Sequence, residues 1–559
     1  MVLCRYIAGL ALGAAVFAGC VREPTSPPAS VVHRPRLAVV LVVDQMRADY
    51  LTRYADLYGG GLARLRREGA WFTRAKLQHA RTFTAPGHAS VATGSHAAQH
   101  GVVANDWYVP AARAEVYAAE DPQVRTITAG PRTADIPGRS PRLLLRSGLG
   151  DWLKSQEPAA RVFSVALKDR SAIMMGGQAP DRAYWYGPEV AGFVSSSWYA
   201  NGAALPDWVA AFNASGAAFR RFAAGWTRAR DSSAYLRSGP DKVAAEADGV
   251  HTEFPHSFDD GSAAARVKFA KEVQYTPFGD ELALSFARTL IAAEGLGADD
   301  VPDILFVSCS SADLIGHRYG PFSHEIEDYY LRLDGYLAEF LGYLDEHVGK
   351  DSYVLGVTAD HGALPLPEEA VLRGFHLSRR ITAEAYRTRV TKVVEATLTG
   401  LGAPASALTF IGEDGLWLDA AVAGVPAPAL HAAVAEALRG VEFVADAFTA
   451  AELAGPPDPN RPFFTAYQRS YFAGRSPDVQ LRFKEWYLVD AQAHGTSHGS
   501  PYSYDTDVPL LFFGAGVQAG MHDRPAGTVD LAPTLAALLG IRAPNDLDGH
   551  SLAGPITAE

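Results

Sequence analysis

"LAVVLVVD", residues 37–44, is seven apolar residues closed by one acid. A half-exposed strand alternates apolar and polar residues. An unbroken apolar run of this length therefore reads as a strand buried on both faces, as in a parallel sheet covered by helices. Similar runs recur: "VFSVALKDR" (162–170) ends at Lys168 and Arg170, "DILFVSCSSAD" (303–313) at Asp313, and "SYVLGVTADHG" (352–362) at Asp360 and His361. "VPLLFFGAG" (508–516) is another, while "FGDELALSFARTLIAAEGLG" and "PTLAALLG" suit covering helices. The expected fold is α/β, a central mostly parallel sheet flanked by helices.

Two regions break this rhythm. Residues 180–270 are rich in Trp, Tyr, Gly and Ser, and residues 375–500 carry helical and strand-like runs of their own. Both are expected to be crown or cap insertions on one edge of a catalytic domain spanning 36–559, not independent domains.

The 559-residue chain has a formal net charge of −12, which argues against a nucleic-acid partner, since that needs a basic face. It leaves room for a small cationic pocket. Residues 1–19 read as an export signal: Arg5 precedes a short apolar run, Ile7 to Ala18, too brief to span a bilayer. "FAGC" (17–20) resembles a lipoprotein processing site that makes Cys20 a lipid anchor. Phe17 departs from the usual aliphatic residue, and cleavage after Ala18 is the competing route. Residues 20–35 form a Pro/Ser-rich tether. The expected location is periplasmic or extracellular, with an outer-membrane lipoprotein as one form. Cys309 sits inside an apolar run and reads as a buried inert thiol, so no disulfide framework is expected.

Ligands of open α/β sheets lie beyond the carboxyl ends of the strands, and four such ends here carry acids, bases or histidines. In "SSADLIGHRYG" (310–320), Asp313 and His317 are four apart, which puts both on one face if the segment turns helically. Asp360 and His361 are adjacent on a strand-end loop, Asp44 closes the first strand, and "GTSHGSPYSYD" offers His498 or, nearby, His494. Mixed carboxylates and imidazoles suit Zn²⁺, which takes nitrogen and oxygen at about 2.0–2.2 Å. Ca²⁺ and Mg²⁺ prefer oxygen alone. Six or seven such ligands are too many for one tetrahedral ion and suit two, about 3.5–4 Å apart, the clamp for in-line displacement at phosphorus. "TFTAPGHAS" (82–90) supplies hydroxyls at Thr82, Thr84 and Ser90. Lys168 and Arg170 alternate on what reads as an extended segment, so both can face one cleft.

The ordered set Asp44, "TAPGHASVATG" (84–94), "HGVVANDWY" (100–108), "LKDR" (167–170), "ADLIGH" (312–317), "TADHG" (358–362) and "TSHGSPYSYD" (496–505) resembles the alkaline phosphatase superfamily. Within it, the chain is most similar to the exported bacterial, phosphate-irrepressible phosphomonoesterases with a Thr nucleophile, related to type I phosphodiesterases and nucleotide pyrophosphatases. The likeness runs from about residue 36 to 555. It implies one metal on Asp313, His317 and His498, and a second on Asp44, Asp360 and His361 with the Thr84 oxygen. It also implies phosphoryl contacts from Asn105, Lys168 and Arg170. Three carboxylates and a Thr84 alkoxide then balance two Zn²⁺, and Lys168 with Arg170 matches a phosphate monoester dianion. The implied activity is monoester hydrolysis through a phosphothreonine. Further Ca²⁺ sites are not legible, and a monomer acting on small phosphate monoesters is expected. His79, His88, His96 and His100 are expected to cap, pack or support.

Two rivals stand beside this reading. A phosphodiesterase or nucleotide pyrophosphatase could use the same metal core, and a noncatalytic zinc- or phosphate-binding lipoprotein is the remote alternative. A sulfatase needs Cys or Ser at the nucleophile position, where this chain has Thr84.

Overall fold

β1 (Leu37–Val43) is fully buried, and its residues divide strictly between two cores. Leu37, Val39, Leu41 and Val43 pack in one apolar cluster with Phe286, Leu290, Leu333 and Leu337. Ala38, Val40 and Val42 pack in a second with Val91, Leu149, Leu531 and Leu535. Burying one such side chain is worth about 1.5–3 kcal/mol, so a strand apolar on both faces is driven to the middle of a covered sheet.

The computed structural model describes residues 34–130, 136–413 and 415–557. The export signal, Cys20 and nearly all of the tether lie outside them. Among the described residues no helix is long and apolar enough to cross a membrane.

β1 is joined in the central sheet by β2 (Ala70–Lys76), β3 (Thr126–Ile127), β4 (Val162–Ala166), β5 (Arg182–Gly187), β6 (Gly192–Ser196), β7 (Asp303–Cys309), β8 (Tyr353–Thr358), β9 (Leu510–Gly514) and β10 (Gly520–Gly527). Their spatial order is β10-β2-β9-β8-β1-β7-β4-β5-β6-β3. The central block β8-β1-β7-β4-β5 is parallel throughout. β9 runs antiparallel to β8, against the parallel course expected for "VPLLFFGAG". The chain reaches β9 from the loop carrying His498, at the site end of the sheet, with no crossover helix, so the strand must descend.

Six helices matter for the site: α1 (Thr84–Thr93), α2 (Asp169–Gly176), α3 (Pro277–Glu294), α4 (Ser311–Tyr319), α5 (His324–Leu344) and α6 (Leu531–Leu538). α3 has Pro277 in its first turn, where no amide donor is needed, and stops at Gly295 with φ 65°, which glycine adopts without strain. α3 and α5 cover one face of the sheet, α6 the other.

The two irregular regions differ from each other. The first begins later than expected, because the aromatic run 182–196 supplies β5 and β6 of the central sheet; its Tyr184, Trp185 and Tyr186 are buried. The second builds a four-stranded sheet ordered Leu408–Ile411, Gly415–Leu418, Val479–Phe483, Val444–Thr449. Helices Ala383–Gly400 and Ala427–Arg439 cover it with Val390, Val394 and Leu398 and with Leu430, Val434 and Leu438, four-residue spacings that make one apolar stripe each.

Candidate active site

The strands β8, β1, β7 and β4 are consecutive neighbours, so their carboxyl ends form one rim. Asp360, Asp44, Asp313 and Lys168 follow these strands in that spatial order. Lys168 reaches back along the rim: its Nζ is 2.6 Å from Asp44 Oδ2 and 2.5 Å from Asp313 Oδ2. Each of these carboxylates keeps its other oxygen for a second partner.

Asp313 Oδ1 lies 3.2 Å from His317 Nε2 and 3.6 Å from His498 Nε2. α4 creates the first contact, since residues four apart share a helix face. His361 Nε2 lies 3.4 Å from Asp44 Oδ1 and 3.3 Å from Asp360 Oδ2. Thr84, the first residue of α1, is buried with Oγ1 3.5 Å from His361 Nε2. The His361 and His498 rings stack at 3.5 Å, joining the two groups.

Three imidazoles share one orientation. Nδ1–H donates to a backbone carbonyl in His317 (Thr496, 2.7 Å), His498 (Thr82, 2.7 Å) and His361 (Gly362, 3.0 Å). This leaves each Nε2 lone pair directed into the site, the usual preparation of a metal-binding histidine. Burial lowers the pKa of His361 and, further, of His498. Burial alone raises the pKa of the Asp313 carboxyl, but His317, Lys168 and His498 outweigh it and hold it well below the usual range. Asp44 is pushed up, first by burial and then by Asp360.

Asp44 Oδ1 is fully buried and accepts no hydrogen bond. A buried anionic oxygen without a donor is costly unless a cation faces it. The donors therefore fit divalent metal: Asp313, His317 and His498 form one group within ligating reach, while Asp44 with Asp313 and His361, and Asp44 with His88 and Asp360, form two overlapping others. His88 is set apart by its bonds. Its Nδ1 faces the Thr84 carbonyl at 2.9 Å and Asp360 Oδ2 at 3.1 Å, and its Nε2 faces Ser308 Oγ at 2.9 Å. With both nitrogens engaged it supports Thr84 and Asp360, in line with the supporting role expected for it.

The remaining expected residues surround this centre. Asn105 Oδ1 accepts from the Ala85 amide at 2.9 Å, which turns its own NH₂ away from that bond. Lys168 precedes α2 in an extended conformation, whereas Arg170 lies in the first turn of α2, so the pair is not on one extended segment as expected. The turn starts there because Asp169 accepts from the Arg170 amide and is held by Arg139 and Tyr117. Lys168 and Arg170 nevertheless line one cleft with Leu314, Trp185 and Tyr275. His494 faces Gly249, and Thr82 Oγ1 bonds the Ser500 carbonyl, so neither takes the role left open for it in sequence.

The model of the type I phosphodiesterase / nucleotide pyrophosphatase family matches residues 38–501. The chain belongs to that family. Alkaline phosphatase PafA of Elizabethkingia meningoseptica is 32% identical over 94% of this chain and 95% of its own length. Alkaline phosphatase PhoV of Synechococcus elongatus is 33% identical over 94% and 93%. The crystal structure of wild-type PafA superposes with a TM-score of 0.86 at 32% identity, covering 94% of this chain and all of that one. A PafA variant altered at one threonine, one asparagine, one lysine and one arginine gives 0.85 at 30% identity, with the same coverage. This member of the type I phosphodiesterase family is thus an alkaline phosphatase-like phosphoester hydrolase on a metal core.

Sequence reading passed over Gln45, Asp280 and Asp505. Asp280 on α3 accepts from the Ser311 amide at 3.0 Å and from Tyr329 Oη at 2.7 Å, holding the start of α4. Asp505 accepts from the Gly499 and Ser500 amides at 3.1 and 2.8 Å, holding the loop of His498. Gly87 lets α1 approach the rim: a Cβ there would lie 2.5 Å from the Asp360 carbonyl oxygen. Gln45 carried one signal, its place directly after Asp44.

Proposed function

We propose that the protein hydrolyses phosphate monoesters at a two-zinc site, with Thr84 as nucleophile and a phosphothreonine as intermediate, releasing inorganic phosphate. The carrying observation is Lys168 placed between Asp44 and Asp313. An ammonium has three protons, so two held by carboxylates leave one for a phosphoryl oxygen. Asp313, His317 and His498 would hold one ion, and Asp44, Asp360, His361 and Thr84 the other. Bound zinc supplies Lewis acidity toward the Thr84 hydroxyl and the leaving oxygen.

Thr84 Oγ1 attacks phosphorus, the ester oxygen leaves opposite, and water then cleaves the phosphothreonine. Lys168, Arg170 and the Asn105 amide hold the phosphoryl oxygens as charge spreads over them. Their two positive charges match a monoester dianion better than a singly charged diester. The same four residue types are those altered together in the PafA variant. Export, a monomeric state and Cys20 as lipid anchor, with cleavage after Ala18 as its rival, belong to this reading on the sequence features above.

Acid quenching during turnover of an aryl phosphate, followed by peptide mapping, should find phosphate on Thr84, and metal analysis should find two zinc ions per chain. The matched family model favours a second reading, diester or pyrophosphate cleavage on the same core. Faster turnover of a bis-aryl phosphate than of the aryl phosphate would establish it instead.

A further inference from the structure

Gln45 is 2% exposed and stands at φ 64°, a left-handed conformation uncommon for a residue with a side chain. Such backbone persists where surrounding contacts over-determine it, and these cluster at functional sites. Two contacts do so here. The Gln45 backbone N–H donates to Asp360 Oδ1 at 3.2 Å, and the side-chain Nε2 donates to Asp313 Oδ1 at 2.7 Å. Carboxylates only accept, so the amide must present its nitrogen to Asp313. Its oxygen end then occupies the space over α4 that Gly316 leaves open: a Cβ on Gly316 would lie 1.7 Å from Gln45 Oε1.

One residue thus bonds a carboxylate of each metal group, and its chain neighbour Asp44 belongs to the second group. We infer that Gln45 is a positioning residue that fixes the two groups relative to each other and so presets the spacing of the two ions. The inference rests on the two-metal reading above. Neither contact is to substrate, so Gln45 acts through Asp313 and Asp360.

The test compares Gln45→Gly, which relieves the left-handed backbone and removes the amide, with Gln45→Met, which keeps the bulk and removes only the amide. Zinc affinity of each metal-free protein is read by competition with a chromophoric chelator, and folding by far-ultraviolet circular dichroism. Both variants should fold and bind zinc about 10–100-fold more weakly at one or both sites, with turnover recovering as zinc is raised. Wild-type zinc affinity in both variants overturns the inference, even if turnover falls. Wild-type affinity in Gln45→Met alone also overturns it, because volume and not the amide is then what matters. Failure of both variants to fold overturns it likewise, making Gln45 a packing residue. A wild-type protein that binds fewer than two zinc ions removes the underlying reading, a result visible before any variant is made.

Discussion

The Lys168 ammonium lies 2.5 Å from Asp313 Oδ2, inside a site where Lys168 is 7% exposed and Asp313 1%. The same ammonium holds Asp44 at 2.6 Å, so removing it leaves two buried carboxylates facing each other. Lys168→Met should lower kcat/KM for an aryl phosphate by about 10²–10³, the usual loss for one donor to a transition-state oxyanion. Steady-state kinetics at saturating zinc checks this, and an unchanged kcat/KM would remove Lys168 from the phosphoryl site.

Thr84 begins α1 with its hydroxyl toward His361. Thr84→Ala should lower turnover on the order of 10⁴–10⁶-fold, as removal of a catalytic nucleophile does. Zinc content should stay at the wild-type value, because three protein ligands of the second ion remain. Thr84→Ser keeps the hydroxyl and should retain most activity. Full activity in the alanine variant refutes the nucleophile.

Gly87 is where α1 meets the Asp360 loop, with a Cβ placed 2.5 Å from the Asp360 oxygen and 2.7 Å from its Cβ. Backbone on one side and a ligand on the other cannot both yield. Gly87→Ala should cost about 1–3 kcal/mol through overpacking and weaken zinc binding, read by thermal unfolding and metal titration. Unchanged values of both would show that the rim is more pliant than its packing indicates.

Glu246 is 2% exposed and has Oε2 without a hydrogen bond. Burial, reinforced by Glu325, Glu369 and Asp241, pushes its carboxyl up to about 10. The folded protein then keeps a proton that the unfolded chain releases above its ordinary range near 4.5. Stability from this group is complete below that range and is lost as pH rises toward about 10. Glu246→Gln is neutral in both states, so its gain in unfolding temperature over the wild type should grow steadily between acid and alkaline pH. Scanning fluorimetry across that range checks the slope; a constant difference would place the Glu246 proton elsewhere.

Much of the centre was legible before any fold was known. Continuous apolar runs report burial on both faces, and the acids and bases closing them report the carboxyl rim. The four-residue spacing of Asp313 and His317 puts both on one face if the segment is helical, as it is in α4. Arg170 falls in a helix although "LKDR" carries no local sign of one, because Asp169, the first residue of α2, is held by Arg139 and Tyr117, one 30 residues and the other 52 residues away. The antiparallel β9 was missed for a similar reason, since an apolar run records its burial and not its direction.

By itself the sequence determined five of the ten strands of the central sheet, β1, β4, β7, β8 and β9, with their two-sided burial and the chemical kinds of the ligands that follow them, because these depend on side chains and short-range periodicity. Tertiary structure decided the rim order Asp360, Asp44, Asp313 and Lys168, which is not chain order but the order in which β8, β1, β7 and β4 pair. It also decided that Lys168 spans two carboxylates, that three histidines turn Nε2 inward, and that Gln45 touches both groups. All of these except the His361 bond to its neighbour Gly362 are contacts between segments more than a hundred residues apart. Contacts of that kind are set by strand pairing and packing, on which local sequence is silent.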